Sequence, residues 1–590
     1  YYSFARSCNG SLVPSKPADF LSIGSLGPDG GMDGPSDRAA SSGSWLVWLI
    51  HGIDDTNACC PIHASLLESN LDYVTASPNK WWIETFGHVA RYIKERDAAV
   101  LKEVSSEDAK ITLRLTDGLD DSIFNYPITF RRPLPDGWQS ATVSQNNLPV
   151  PAQLVDVNSQ KCIMFDVVPD GGDITIARQA ETNLSAYILT PPPSAAPRIN
   201  GPSVFGVRPG SPFLYTIPAT GRRPMEFGAE GLPAGLNLDP QSARITGKVE
   251  KAGEYQVILK ARNAVNSATR KFRIVVGKEI ALTPPMGWNS WNSWAGGVDQ
   301  EKVLESARIL VSSGLINHGW SYVNIDDTWQ GRRAGADKAL QANKKFPNMK
   351  GLCESIHDLG LKAGIYSTPW MTSYGNYPGG TSDNPEGEWS RERLGGKAGQ
   401  KVGPIHFAKA DARQYAEWGF DYLKYDWNPN DVDNTREMSE ALRSTGRDIV
   451  LSLSNAAGYE KRNELSRWAN AWRTTGDIWD HWEPRSDQTY HVSVSQIIDA
   501  NEKWSKVARP GHWNDPDMLV VGWVSVGSAM HSTHLTPDEQ YAPLSMWCMM
   551  SAPLMIGCDL TKLDDFTLGL MRNDEVLALD QAALGKQAVR

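Results

Sequence analysis

Eight apolar, strand-like runs alternate with helix-like segments between residues 282 and 590. The runs end near residues 291, 329, 368, 427, 454, 478, 518 and 560, and helical spacing fills stretches between them, for instance 300–313, 408–419, 492–504 and 536–549. Strand–helix alternation at that count within about 300 residues predicts a (β/α)8 barrel, a closed parallel sheet ringed by helices. Polar residues gather at the C-terminal ends of the runs, the face on which such barrels carry their chemistry.

One run ends Tyr422-Leu423-Lys424-Tyr425-Asp426. Side chains alternate along a strand, so Lys424 and Asp426 point to the same side. A neighbouring cation favours the charged form of a carboxylate, as a nucleophile requires. A second run, Trp472-Arg473-Thr474-Thr475-Gly476-Asp477, repeats the pairing of a cation with an aspartate. Two strand-end carboxylates fit glycoside hydrolysis, where one acts as nucleophile or base and the other protonates the leaving oxygen. Asp326-Asp327 and Asp517 also follow apolar runs, beside Trp329 and Trp513. Sugars offer hydroxyls to charged acceptors and a C–H face to aromatic rings. The 22 tryptophans exceed what core packing ordinarily needs and are expected to contact carbohydrate.

At 590 residues the chain is expected to hold several domains. A net charge of −10 without a long basic run argues against nucleic acid or an anionic membrane as partner. No apolar run approaches the ~18 residues of a membrane span. The seven cysteines show no metal-ligand spacing, and no metal or other cofactor is expected. The chain opens Tyr-Tyr-Ser-Phe rather than with methionine, so a processed or truncated product is expected, secreted or periplasmic. Oligomeric state stays open.

The proline-rich segment 190–197 reads as a linker. Ahead of it, 1–190 mixes helix-like (81–100) and strand-like (111–115, 141–155) segments and is expected to be a partial α/β region. Behind it, 197–277 carries short alternating strands about every ten residues, the rhythm of a small β-sandwich. Its turns, Gly231-Leu232-Pro233-Ala234-Gly235 and Lys251-Ala252-Gly253-Glu254-Tyr255, resemble those of immunoglobulin-like modules in secreted bacterial multidomain proteins. The catalytic zone is 281–590.

From Pro285-Met286-Gly287-Trp288-Asn289 to Leu584-Gly585-Lys586-Gln587 the chain resembles the melibiase-type α-galactosidases and α-N-acetylgalactosaminidases, glycoside hydrolase family 27. The resemblance implies a retaining exo-glycosidase acting on terminal α-linked galactose, with Asp426 as nucleophile and Asp477 as acid/base. It further implies that Trp291, Asp326, Asp327, Tyr366, Lys424, Arg473 and Asp517 hold the sugar. In the loop after the fifth strand, animal galactosidases of this family place glutamate and leucine, whereas N-acetylgalactosaminidases place serine and alanine. Here Ser454 and Ala457 match the second pair, without its aromatic and proline neighbours. Galactose, N-acetylgalactosamine and arabinopyranose therefore all remain open as the sugar, with Ser454 a candidate contact. Where many animal relatives have cysteines beside the nucleophile, this chain has Trp427 and Asn428. Segment 45–52, ending in His51, resembles the late strand and catalytic histidine of polysaccharide deacetylases, whose metal-binding motifs have no counterpart upstream. A carbohydrate-binding protein with a degenerate barrel is the alternative from another class; the intact Asp426/Asp477 pair argues against it.

Overall fold

The computed structural model describes residues 3–28, 31–54, 57–58, 61–75, 80–138, 140–158, 160–178, 184–485, 491–526 and 529–588. The chain divides into two compact units, Tyr1–Thr182 and Asn183–Arg590.

In the first unit the helices come first: Asp33–Ser42, Ala64–Thr75 and Phe86–Ala98. Antiparallel strands follow, in a five-stranded and a three-stranded sheet. Alternating Ile111, Leu113 and Leu115 from one sheet meet Ile163, Phe165 and Val167 from the other in a shared core. Segment 45–52 forms no continuous strand; it makes single bridges at Trp45 and Trp48.

The second unit opens with the β-sandwich. Strands Val204–Val207, Ser267–Val276, Gly253–Arg262 and Glu226–Glu230 form one sheet, and Pro212–Thr216, Arg244–Lys248 and Leu236–Asp239 the other. Period-two burial drives the pairing: Phe213, Tyr215, Ile245, Val257, Leu259, Phe272 and Ile274 face inward. The expected immunoglobulin-like rhythm is therefore real.

The barrel strands are β1 (Met286–Asn289), β2 (Tyr322–Asn324), β3 (Lys362–Ser367), β4 (Tyr422–Asp426), β5 (Val450–Ser454), β6 (Ala471–Arg473), β7 (Trp513–Asp515) and β8 (Leu554–Ile556). All pair in parallel in the order β7-β6-β5-β4-β3-β2-β1-β8. The seam between β7 and β8 closes just past β7, where Leu519 bridges Ile556. Gly364 is required inside: a Cβ there would lie 1.9 Å from Oδ1 of Asn324. Helices start on polar caps, including Asp299 ahead of Gln300–Ser312, Asp431 ahead of Val432–Arg443, and a Thr536/Glu539 capping box ahead of Pro537–Met549.

The strand ends shift from expectation mainly at β2 and β6. These strands stop at Asn324 and Arg473, so that Asp326, Asp327 and Asp477 stand on the loops beyond them. The tryptophans also depart from expectation. Trp288, Trp320, Trp329, Trp427, Trp472, Trp504, Trp513 and Trp547 are fully buried in the barrel, where large rings fill the space between sheet and helices.

The sandwich docks on the face of the barrel from which the strands start. Thr216 Oγ1 donates to the Gly360 carbonyl ahead of β3 (2.7 Å), and the Arg208 N–H donates to Asp448 ahead of β5 (2.9 Å). The opposite face, where the strands end, is left open to build a site.

Candidate active site

Strand ends and loops of the barrel mouth enclose a cavity of about 370 Å³. It is lined by Trp291, Asp326, Asp327, Tyr366, Lys424, Asp426, Arg473, Asp477 and Asp517, every proposed contact except Ser454. Ser454 is buried beneath the floor, against a void of about 30 Å³, with its Oγ 3.5 Å from Arg473 Nη1. Asn455, one residue on, enters the cavity instead. Tyr374, His491 and Ser525 also line it and had not been singled out.

Tyr366 and Lys424 stand opposite one another in the β3–β4 register, and Asp426 stands opposite Ser454 in β4–β5. This pleat aims Tyr366, Lys424 and Asp426 into the same space. The Tyr366 hydroxyl donates to Asp426 Oδ2 (2.9 Å), and the Asn455 side-chain amide donates to Oδ1 (2.5 Å). Both carboxylate oxygens are thereby oriented. Burial pushes the Asp426 carboxyl up from 3.8 to about 6; Lys424 opposes this, while Asp477 and Asp326 add to it.

Lys424 Nζ donates to Asp326 Oδ2 at 2.7 Å. Burial alone would favour losing its proton, but Asp326 and Asp426 outweigh it and raise its pKa. Asp327 is oriented from within the protein: Oδ1 accepts from the Thr328 N–H and the Gln330 amide, Oδ2 from the Gly375 N–H. Burial nevertheless raises its pKa.

Arg473, fully buried at the end of β6, sits 3.0 Å from Asp477 Oδ1 and 2.8 Å from Asp517 Oδ2. Desolvation would disfavour the charge, but Asp517 and Asp477 hold the guanidinium protonated. The chain bends after β6, bringing Asp477 back to Arg473 four residues away. The Ile478 N–H donates to Asp517 Oδ2 and the Met518 N–H to Oδ1, locking two loops together. Asn455 and Asp517 both have left-handed backbone, with φ of 66° and 85°. Strain of this kind is held only where neighbours over-determine a residue, and it clusters at working sites.

The position beside Asp426 holds Trp427, which is buried and donates Nε1–H to Asp431 Oδ2 (3.0 Å). Packing there replaces any disulfide, since no cysteine is adjacent.

The cavity thus combines several carboxylates, the buried Arg473, the partly buried Lys424 and the aromatic rings of Trp291 and Tyr374. That is a set able to bind hydroxyls, attack an acetal carbon and protonate a leaving oxygen.

Comparison with known proteins agrees. The family described as "Alpha galactosidase A" matches residues 283–386 and 395–582, and that described as "Putative Ig domain" matches 196–277. Alpha-galactosidase 2 of Arabidopsis thaliana is 36% identical over 322 residues, covering 53% of this chain and 71% of the plant protein. Alpha-galactosidase A of Cellvibrio japonicus is 34% identical over 341 residues, covering 55% of this chain and 73% of that protein. A crystal structure of a "putative alpha-galactosidase" from Bacteroides fragilis superposes with a TM-score of 0.60 at 35% identity, covering 67% of this chain and 81% of that one.

Proposed function

The chain belongs to the α-galactosidase A family of glycoside hydrolases, and on that premise we propose that it releases terminal α-linked galactose with retention of configuration, through a covalent glycosyl-enzyme on Asp426. The observation that carries this reading is the doubly hydrogen-bonded Asp426 carboxylate, in one cavity with Asp477.

In the first step Asp426 attacks the anomeric carbon from the face opposite the leaving group while Asp477 gives its proton to the glycosidic oxygen. Tyr366 and Asn455 keep the Asp426 oxygens aimed, so the carboxylate is not lost to rotation. Water activated by Asp477 then cleaves the ester. Asp326 with Lys424 presents a charge-assisted pair to neighbouring sugar hydroxyls, and Arg473 with Asp517 presents another. Trp291 supplies the apolar wall for the C–H face.

The test is a panel of nitrophenyl α-glycosides with product configuration followed by NMR. The α-galactoside is expected to be the best substrate and α-galactose the first product. Preference for the N-acetylgalactosaminide would reassign the sugar. First release of the β-anomer would reject the double displacement.

A further inference from the structure

We propose that Asp480, His481 and His534 form a binding site for a divalent first-row transition cation of the Zn²⁺ or Co²⁺ type, on the rim of the barrel mouth. Asp480 is fully buried, and each of the three residues offers a ligand atom within 4.8 Å of the others. Asp480 Oδ2 accepts from His534 Nδ1 (2.8 Å), the His534 backbone N–H (2.9 Å) and His531 Nε2 (3.1 Å). Asp480 Oδ1 is buried with no hydrogen-bond partner among the described residues. An orphaned carboxylate oxygen inside a protein is costly, and a cation is a partner that removes the cost. The His481 and His534 rings lie face to face, centroids 4.6 Å apart and 11° from parallel, with His534 exposed to arriving ions.

One carboxylate and two imidazoles form a mixed N/O donor set, which suits Zn²⁺ or Co²⁺; Ca²⁺ and Mg²⁺ prefer oxygen throughout. Parallel stacked rings do not share an in-plane ion, so binding requires one of the two imidazoles to turn until its donor nitrogen reaches the ~2.0–2.2 Å that zinc requires. His531, donating to Oδ2, is the outer partner that orients a ligating carboxylate. The three ligands come from the neighbouring loops after β6 and β7, at 480–481 and 534, so an ion would pin the segment carrying Asp477 to the loop beside it. His534 lies some fifty positions from Asp480, a separation that matches no metal-ligand spacing in the sequence.

The experiment titrates the tag-free full chain with Co²⁺, read by visible d–d absorbance, and with Zn²⁺, read by calorimetry, beside His481→Ala and His534→Ala. Neither histidine is fully buried, and thermal melts establish that both variants fold. The expected result is one equivalent bound with a Kd on the order of 1–100 µM, weakened at least tenfold in each variant. A Tm rise of about 2–5 °C at saturating metal is expected in the parent alone. Three results would each overturn the site: no binding up to millimolar metal, an affinity unchanged from the parent in either histidine variant, or Ca²⁺ binding as tightly as Zn²⁺.

Discussion

Asn455 places its side-chain amide on Oδ1 of Asp426, from a loop residue held in left-handed backbone just past β5. The contact costs strain at Asn455 and returns a fixed orientation at the carboxylate proposed to attack. Asn455→Ala is expected to lower kcat by about 10–100-fold with a smaller change in KM, since the bond matters most as the carboxylate approaches carbon. A donor to the ionised form also lowers a pKa. The acid limb of kcat/KM, expected near the Asp426 value of about 6, should therefore move to higher pH in the variant. An unchanged rate and pH profile would remove Asn455 from the working site.

Asp426→Gly is expected to reduce turnover by on the order of 10⁴-fold or more, and added azide to restore it. Azide fills the space of the lost carboxylate and attacks from the same face, so the product is the β-glycosyl azide, identifiable by NMR. Recovery of the α-azide would place the nucleophile elsewhere.

The same carboxylate is a burden on the fold. Its folded pKa of about 6 lies above the ordinary 3.8, so between these values the native state binds more protons than the unfolded chain. Stability from this group is fully present below about 3.8 and is lost as pH rises through about 6. Asp426→Asn removes the ionisation and is expected to raise stability at pH 7.5 by about 1–3 kcal/mol, with the gain vanishing near pH 4. Asp515, also pushed up to about 6 by burial and by Asp517, acts in the same direction but remains in both proteins. Thermal melts at the two pH values read the difference directly; a variant less stable at pH 7.5 would contradict it.

The barrel and the position of the proposed nucleophile were legible because both follow strand periodicity. Lys424 and Asp426 are two positions apart on β4, and the pleat alone puts them on one side. Asp477 was legible by its neighbours, although it stands beyond the end of β6 on a bend that period two does not describe. Ser454 and Asn455 show the limit. Regular alternation carries Ser454 under the floor, and the left-handed turn at Asn455 reverses which residue meets the cavity. Tyr374 and His491 come from long loops, where spacing along the chain says little about position in space. The tryptophans misled for a different reason: a ring that suits a sugar face suits a barrel core equally well, and eight were taken by the core.

The proposed proton donor gives the most discriminating test. Asp477 sits 3.0 Å from Arg473, which also binds Asp517, so the loop carrying it is clamped whatever the aglycone. A proton from Asp477 is needed only when the departing oxygen is a poor leaving group; an activated nitrophenol leaves without one. Asp477→Ala is therefore expected to slow glycosylation by sugar-leaving substrates by on the order of 10²–10⁴, and to slow activated aryl galactosides far less in that step. Deglycosylation, which needs Asp477 as base, should then become limiting for the aryl substrates, visible as a burst of nitrophenol. Loss of Asp477 also frees Arg473 from one partner, so a purely structural role would weaken both substrate classes alike through KM. Equal losses in the glycosylation step, without a burst, would make Asp477 a binding residue and move the search for the acid to another group lining the cavity.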